Sequence, residues 1–239
     1  DRYRGATVPV AVRRQFYAGV DRSYPAVSNT YGDYNVPEGL LAEVDHYPRD
    51  SAVLEIGAGG GFTLRKLRER GFTRLIASDL APTAVVALRE RLPGVPVVAA
   101  DAAALPFAAE CFDVVLSTDL IEHVPDLDRH LDEVRRVLRP GGRYLIKTPN
   151  RLLAERYYRL MGLFDAYFWH PSMASPSELE RNLGAHGFSC RFLAPARLTA
   201  AQVRKLPLGV VRRAARGVPL SRLPVAVRVH LEVVATREA

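Results

Sequence analysis

Three carboxylates and a knot of glycines are the residues whose types and spacing could do chemistry. Glu55 lies inside Val53-Leu54-Glu55-Ile56-Gly57-Ala58-Gly59-Gly60-Gly61-Phe62-Thr63-Leu64, where an apolar run meets four glycines within five positions. Asp79 follows Gly57 by 22 positions, and Asp101 follows Asp79 by another 22. An acidic side chain about 20 residues past a glycine turn is placed to accept hydrogen bonds from ribose hydroxyls. Asp101, next to Ala102, is placed to meet an exposed adenine amino group. Each carboxylate alone is as readily a turn or helix cap; together with the glycines they point to an adenosine-bearing ligand. The glycine order narrows it further. A pyrophosphate-binding G-x-G-x-x-G needs glycine at position 62, which is Phe62, and no basic residue stands between the glycines and Arg65. The crowded G-x-G-G-G suits a ligand whose charged end is an amino acid rather than a diphosphate.

Positioning these residues requires alternating strands and helices. Val53–Ile56 reads as a short buried strand, and Phe62–Arg70 has helical spacing after the glycine turn. Such a layout aims free N–H groups and the positive end of a helix at a ligand. Further strands are expected at 73–78, 95–100, 112–117 and 143–148. Helices are expected at 81–92, with Pro82 near its start, and at 127–138, stopped by Pro140-Gly141-Gly142. This alternation predicts an α/β fold: a single Rossmann-like, doubly wound, mostly parallel sheet of seven strands with helices on both faces. Right-handed crossovers bring the strand C-terminal ends to one edge, where Asp79, Asp101, the glycine turn and the loop 117–123 meet. The last two strands are expected at 188–193 and 227–236, after a helix over 177–186. Residues 1–50, with six tyrosines and a helix from Pro37 to about Tyr47, read as an N-terminal helical cap over the active site. Residues 51–239 form the binding domain, with insertions near 150–175 and 195–224.

Composition narrows the class. The 239 residues are 48% apolar and 25% charged, ordinary for a globular chain, and no run approaches the about 18 apolar residues of a membrane span. Two widely spaced cysteines, Cys111 and Cys190, give neither a disulfide framework nor metal spacing. We therefore expect a reduced, cytoplasmic protein with no metal. The net charge of +7 is concentrated beyond Cys190, where ten arginines and lysines face only Glu232 and Glu238.

Val53–Gly61, Asp79, Asp101-Ala102 with Leu105-Pro106-Phe107, Phe112–Ser117, Glu122-His123-Val124 and Leu138-Arg139-Pro140-Gly141-Gly142 resemble the successive motifs of class I S-adenosylmethionine-dependent methyltransferases. They are most similar to the small-molecule branch that includes quinone-biosynthesis and natural-product enzymes. The resemblance implies S-adenosylmethionine as cofactor, with S-adenosylhomocysteine as product. It implies that Gly57, Ala58, Gly59 and Gly61 contact the methionine part, and that Asp79, followed by Leu80, holds the ribose. Asp101 and Ala102 would flank the adenine, and the Ser117-Thr118 backbone the amino-acid end. Glu55 would order the loop or reach the methionine ammonium. The acceptor is expected to be a small molecule methylated on oxygen or nitrogen.

Methyl transfer needs a base only where the acceptor is protonated near neutrality. His123, just past the fourth strand, and His170, in Phe168-Trp169-His170-Pro171, are the candidates; packing under the loop is the alternative role for both. Asp119 and Glu122 could assist or simply cap, and Tyr24, Tyr31 and Tyr34 could wall the acceptor pocket or simply pack. Two other readings were weighed. A nicotinamide-dependent oxidoreductase is opposed by Phe62 and by the second carboxylate, Asp101. An RNA-directed or binding-only protein would use Arg204, Lys205, Arg212, Arg213 and Arg216, yet no interleaved aromatics accompany them. That basic stretch otherwise suits a solvated helix face, a phosphorylated or carrier-bound acceptor, an acidic partner or a dimer contact. Monomer and homodimer both stay open.

Overall fold

The computed structural model describes residues 9–23, 36–163, 169–194 and 223–239. Seven strands form one sheet: β1 (Ala52–Ile56), β2 (Arg74–Asp79), β3 (Val97–Ala99), β4 (Phe112–Thr118), β5 (Leu138–Pro149), β6 (Phe188–Phe192) and β7 (His230–Arg237). Their order is β3-β2-β1-β4-β5-β7-β6, with only β7 antiparallel to its neighbours. From β1 the chain steps outward to β2 and β3, then returns to lay β4 on the other side of β1. The C-terminal ends of β1 and β4 therefore border a crevice, the place where open α/β sheets bind ligands.

All five residues of β1 are buried because helices cover both faces. On one face Leu40, Leu41 and Val44 of α2 (Glu38–Val44) and Leu64 and Leu67 of α3 (Phe62–Glu69) pack against Val53, Val114, Leu116 and Leu145. Leu88 of α4 (Pro82–Arg91) joins them. On the other, Leu131 and Val134 of α5 (Leu127–Val137) and Leu179 and Leu183 of α7 (Pro176–Ala185) pack against Leu54, Val115, Tyr144 and Val233. Each fully buried leucine contributes about 1.5–3 kcal/mol of transfer free energy. Side chains set the helix starts. The Asp126 carboxylate accepts from the Arg129 N–H, and Ser175 and Glu178 form a capping box at α7.

The remaining helices are α1 (Val10–Ser23) and α6 (Arg151–Met161). Within the expected cap of residues 1–50, α2 lies in the core layer, whereas α1 crosses the outer edge beside α4. The Leu138-Arg139-Pro140-Gly141-Gly142 stretch does not separate helix from strand as expected. β5 begins directly at Leu138, which pairs with Phe112, and the register shifts before Arg143 pairs with Val114. The last strand starts at His230 rather than Val227. Val225–Val227 is a 3-10 turn held by Asn150, whose side-chain amide donates to the carbonyls of Ala226 and Arg228 at 3.0 and 2.9 Å.

Candidate functional site

The glycine turn leaves β1 under tight constraint. Gly57, Gly59 and Gly61 all have positive φ, which L side chains rarely adopt. A Cβ at Gly57 or Gly61 would strike Leu120, or Leu88 and Leu92, within 3 Å. At Gly59 it would meet only the Gly57 carbonyl oxygen, 4.0 Å away, so this glycine keeps open space above the turn. Four of the turn's N–H groups are engaged within the protein. Gly57 and Ala58 both donate to the Ser78 carbonyl, Gly61 donates to Ala58, and Gly59 donates to Asp79. β2 thus holds the turn in shape.

The three carboxylates lie on neighbouring strands and behave differently. Glu55 is buried and receives the Thr63 hydroxyl and the Leu64 N–H at the start of α3, while its Oε2 has no partner. Burial raises its pKa to about 8 despite those donors. Asp79 accepts from Gly59 N–H and Ala81 N–H, both at 2.9 Å, and from Leu80 N–H; burial still raises its pKa. Asp101 accepts from Ala103 N–H at 3.0 Å and pairs with Arg13 of α1 at 3.1 Å.

Below the β4 tip runs a polar chain with one possible direction. His130 Nδ1 lies 2.8 Å from the Ala102 carbonyl oxygen, which can only accept, so Nδ1 carries the proton. His130 Nε2 then accepts from the Tyr144 hydroxyl at 2.8 Å, and Tyr144 accepts from the Ser117 hydroxyl at 2.7 Å. This chain ties Ala102 to Ser117, joining two segments the sequence reading assigned to opposite ends of one ligand. Ser117 therefore spends its side chain inward, and with Thr118 leaves its backbone at the edge. Beyond them Asp119 has a left-handed φ of 52°. Against the burial that would raise its pKa, Lys147, 3.1 Å away, holds Asp119 low. Glu122 accepts from the Thr148 hydroxyl at 2.8 Å, and burial with the nearby Asp119 charge raises its pKa to about 8.

The two candidate histidines come together, with ring centroids 4.5 Å apart. His123 Nδ1 donates to the Trp169 carbonyl at 2.7 Å, and burial drives its pKa down to about 3, helped by His170. That lies well below the near-neutral range expected of His123 from its residue type. His170 stacks on Tyr158 of α6 at 5.7 Å. From α1, Phe16 stacks on Trp169 at 3.5 Å and Tyr17 meets His123 edge-on at 5.7 Å. Tyr24, Tyr31 and Tyr34 lie outside the described residues, as does the basic stretch through Arg216. Tyr17, Arg13, His130 and Tyr144 were missed from the sequence. The four-residue spacing of Arg13 and Tyr17 on one helix face is the one signal that could have flagged a pair.

The fold and site define an open α/β domain whose glycine turn, Asp79, Asp101 and β4 tip lie at the C-terminal edge of the sheet. Residues 54–146 match the methyltransferase domain family model. Over that stretch the chain is similar to S-adenosylmethionine-dependent methyltransferases, enzymes whose cofactor is S-adenosylmethionine. The malonyl-[acyl-carrier protein] O-methyltransferase of Methylococcus capsulatus is 32% identical over 159 residues, 64% of this chain and 58% of that protein. A ubiquinone biosynthesis O-methyltransferase of Chelativorans is 29% identical over 146 residues, 56% of this chain and 57% of that protein. The chain thus spans little more than half the length of the curated relatives it matches. In fold it resembles an S-adenosylmethionine-dependent methyltransferase from Mesorhizobium loti, with a TM-score of 0.60, 20% identity, and coverage of 82% of this chain and 96% of that one. Two features of the site fit this cofactor. Glu55 Oε2 is a buried acceptor without a donor, suited to an ammonium group, and Gly59 leaves space where a side chain would intrude. Among the described residues no helix is long and apolar enough to cross a membrane.

Proposed function

We propose that this protein transfers the methyl group of S-adenosylmethionine to an oxygen or nitrogen of a small-molecule acceptor. The observation that carries the reading is the unpartnered, buried Glu55 Oε2 beside a glycine turn tied to Asp79. Glu55 holds the cofactor's ammonium, Asp79 the ribose hydroxyls, and Asp101 with Ala102 the adenine. The Ser117-Thr118 backbone borders the amino-acid end. The bound cofactor supplies a methyl group already activated on a sulfonium. What the chain adds is alignment, which in well-oriented reactions is worth about 7–11 kcal/mol of barrier. His123 holds the Trp169 backbone through Nδ1, and burial leaves its neutral ring a weak base at Nε2. Where the acceptor carries a proton to be lost, that proton passes to His170, the imidazole packed against it. The curated relatives named as O-methyltransferases support a hydroxyl or carboxyl acceptor, free or carrier-bound.

Calorimetry with S-adenosylhomocysteine and with NAD tests the reading. Binding of the first and none of the second is expected. Asp79→Asn keeps the size of the side chain but removes its charge, and each charge-assisted hydrogen bond lost costs about 1.5–3 kcal/mol. S-adenosylhomocysteine affinity should therefore fall at least about tenfold. Micromolar binding of NAD without a response to S-adenosylhomocysteine would sink the proposal.

A further inference from the structure

We propose that Tyr17 is a specificity residue of the cofactor site, its phenolic O–H donating to the carboxylate at the amino-acid end of the ligand. This rests on the cofactor reading above and adds a side-chain donor from α1 to an end of the ligand that the motifs border with backbone and with Glu55. An amino-acid end is a zwitterion, so it needs an acceptor for the ammonium and a donor for the carboxylate. Glu55 Oε2 is the acceptor. The polar side chains around the edge are mostly engaged: Lys147 with Asp119, Thr148 with Glu122, Ser117 with Tyr144, Thr63 with Glu55 and His123 Nδ1 with Trp169. The Tyr17 hydroxyl is different, being buried without a hydrogen-bond partner. A buried donor left unmade is costly, and a ligand oxygen relieves it.

The placement of α1 supports the assignment. Arg13 pairs with Asp101 at 3.1 Å, and one turn later Tyr17 meets the His123 ring edge-on at 5.7 Å. α1 thus runs from the β3 end of the crevice to the β4 end, the direction from the proposed adenine site to the proposed amino-acid site. The Tyr17 ring also contacts Phe16, itself stacked on Trp169, so the phenol is held rather than free to swing. Tyr17 feels Asp79 and Glu122, and burial with these charges raises its pKa, so the phenol stays protonated and can only donate to an anion.

The test compares S-adenosylhomocysteine with its decarboxylated analogue, which keeps the amine, by calorimetry on the wild type and on Tyr17→Phe. Tyr17→Phe retains every ring contact. The wild type should prefer the carboxylate-bearing ligand by about tenfold to a hundredfold, the strength of one hydrogen bond to a charged group. Tyr17→Phe should lose S-adenosylhomocysteine affinity by a similar factor, bind the analogue as before and melt like the wild type. A preference that survives Tyr17→Phe, or equal losses for both ligands, overturns the inference alone. A wild type that binds neither overturns the cofactor reading, and this inference with it.

Discussion

At the scale of single residues the site is governed by burial. His123 shows how burial changes a role that residue type suggests. Free imidazole accepts a proton near neutrality, but charging this ring would require an imidazolium beside His170 and largely out of water. The Trp169 carbonyl fixes the proton on Nδ1 and makes the ring a bracket between loop and α1. The expected consequence is spectroscopic. Among the six histidines, the one whose resonances vanish in His123→Ala should not titrate between about pH 5 and 8. A titration midpoint near 6.5 in the wild type would return His123 to the role of base. Glu55 is the converse case, a carboxyl kept largely protonated near neutrality for want of a counter-charge.

At the scale of elements, α1 lies beside α4 and meets the edge through the Arg13 ion pair, the Phe16 stack and the Tyr17 edge contact. Arg13→Ala removes the tie at the β3 end and leaves Asp101 its Ala103 N–H donor. Breaking a partly buried charge pair costs up to a few kcal/mol, and here the cost falls on α1 rather than on the sheet. Amide exchange over residues 10–23 should speed up by at least about tenfold, with protection of β1 and β4 unchanged. Equal exchange in both proteins would show that the stack alone holds the helix. The sheet itself was legible in the sequence because β1, β2 and β4 are apolar runs ended by glycine or aspartate. What was not legible depends on partners far along the chain. β5 starts at Leu138 because Phe112 pairs with it, and Val225–Val227 turns because Asn150 takes its carbonyls. The carboxylates were found by spacing. Tyr17 and His130 were not, since their targets stand about a hundred and about thirty residues away by chain, in a register only the folded sheet creates.

At the scale of the whole molecule, the buried acids and histidines set how stability follows pH. Glu55 and Glu122 move from an ordinary 4.5 to about 8 on folding, so between those values the folded chain keeps protons the unfolded chain has released. Stability from these groups falls as pH rises through that window. His123 moves from 6.5 down to about 3, and His130 is also lowered, so their contribution is complete above 6.5 and fades as pH falls below it. From pH 4.5 to 6.5 the two effects oppose each other; above 6.5 the two carboxyls act, each by up to about 1.4 kcal/mol per pH unit. His186, its pKa raised beside Asp132 and Asp128, adds to the same fall. Without ligand, the melting temperature should be nearly level from pH 5 to 6.5 and then drop by several degrees toward pH 8.5, at about 2–4 °C per kcal/mol. An ammonium at Glu55 Oε2 makes the ionised carboxylate favourable, so saturating S-adenosylhomocysteine should flatten part of that alkaline fall as well as raise the whole curve. Glu55→Gln should flatten the same part with no ligand present and gain nothing further in slope when ligand is added. A ligand-free melting temperature that holds steady or climbs between pH 6.5 and 8.5 would show that these carboxyls are ionised in the folded protein. Glu55 would then already carry the charge that an ammonium meets, and added ligand would raise the curve without changing its alkaline slope.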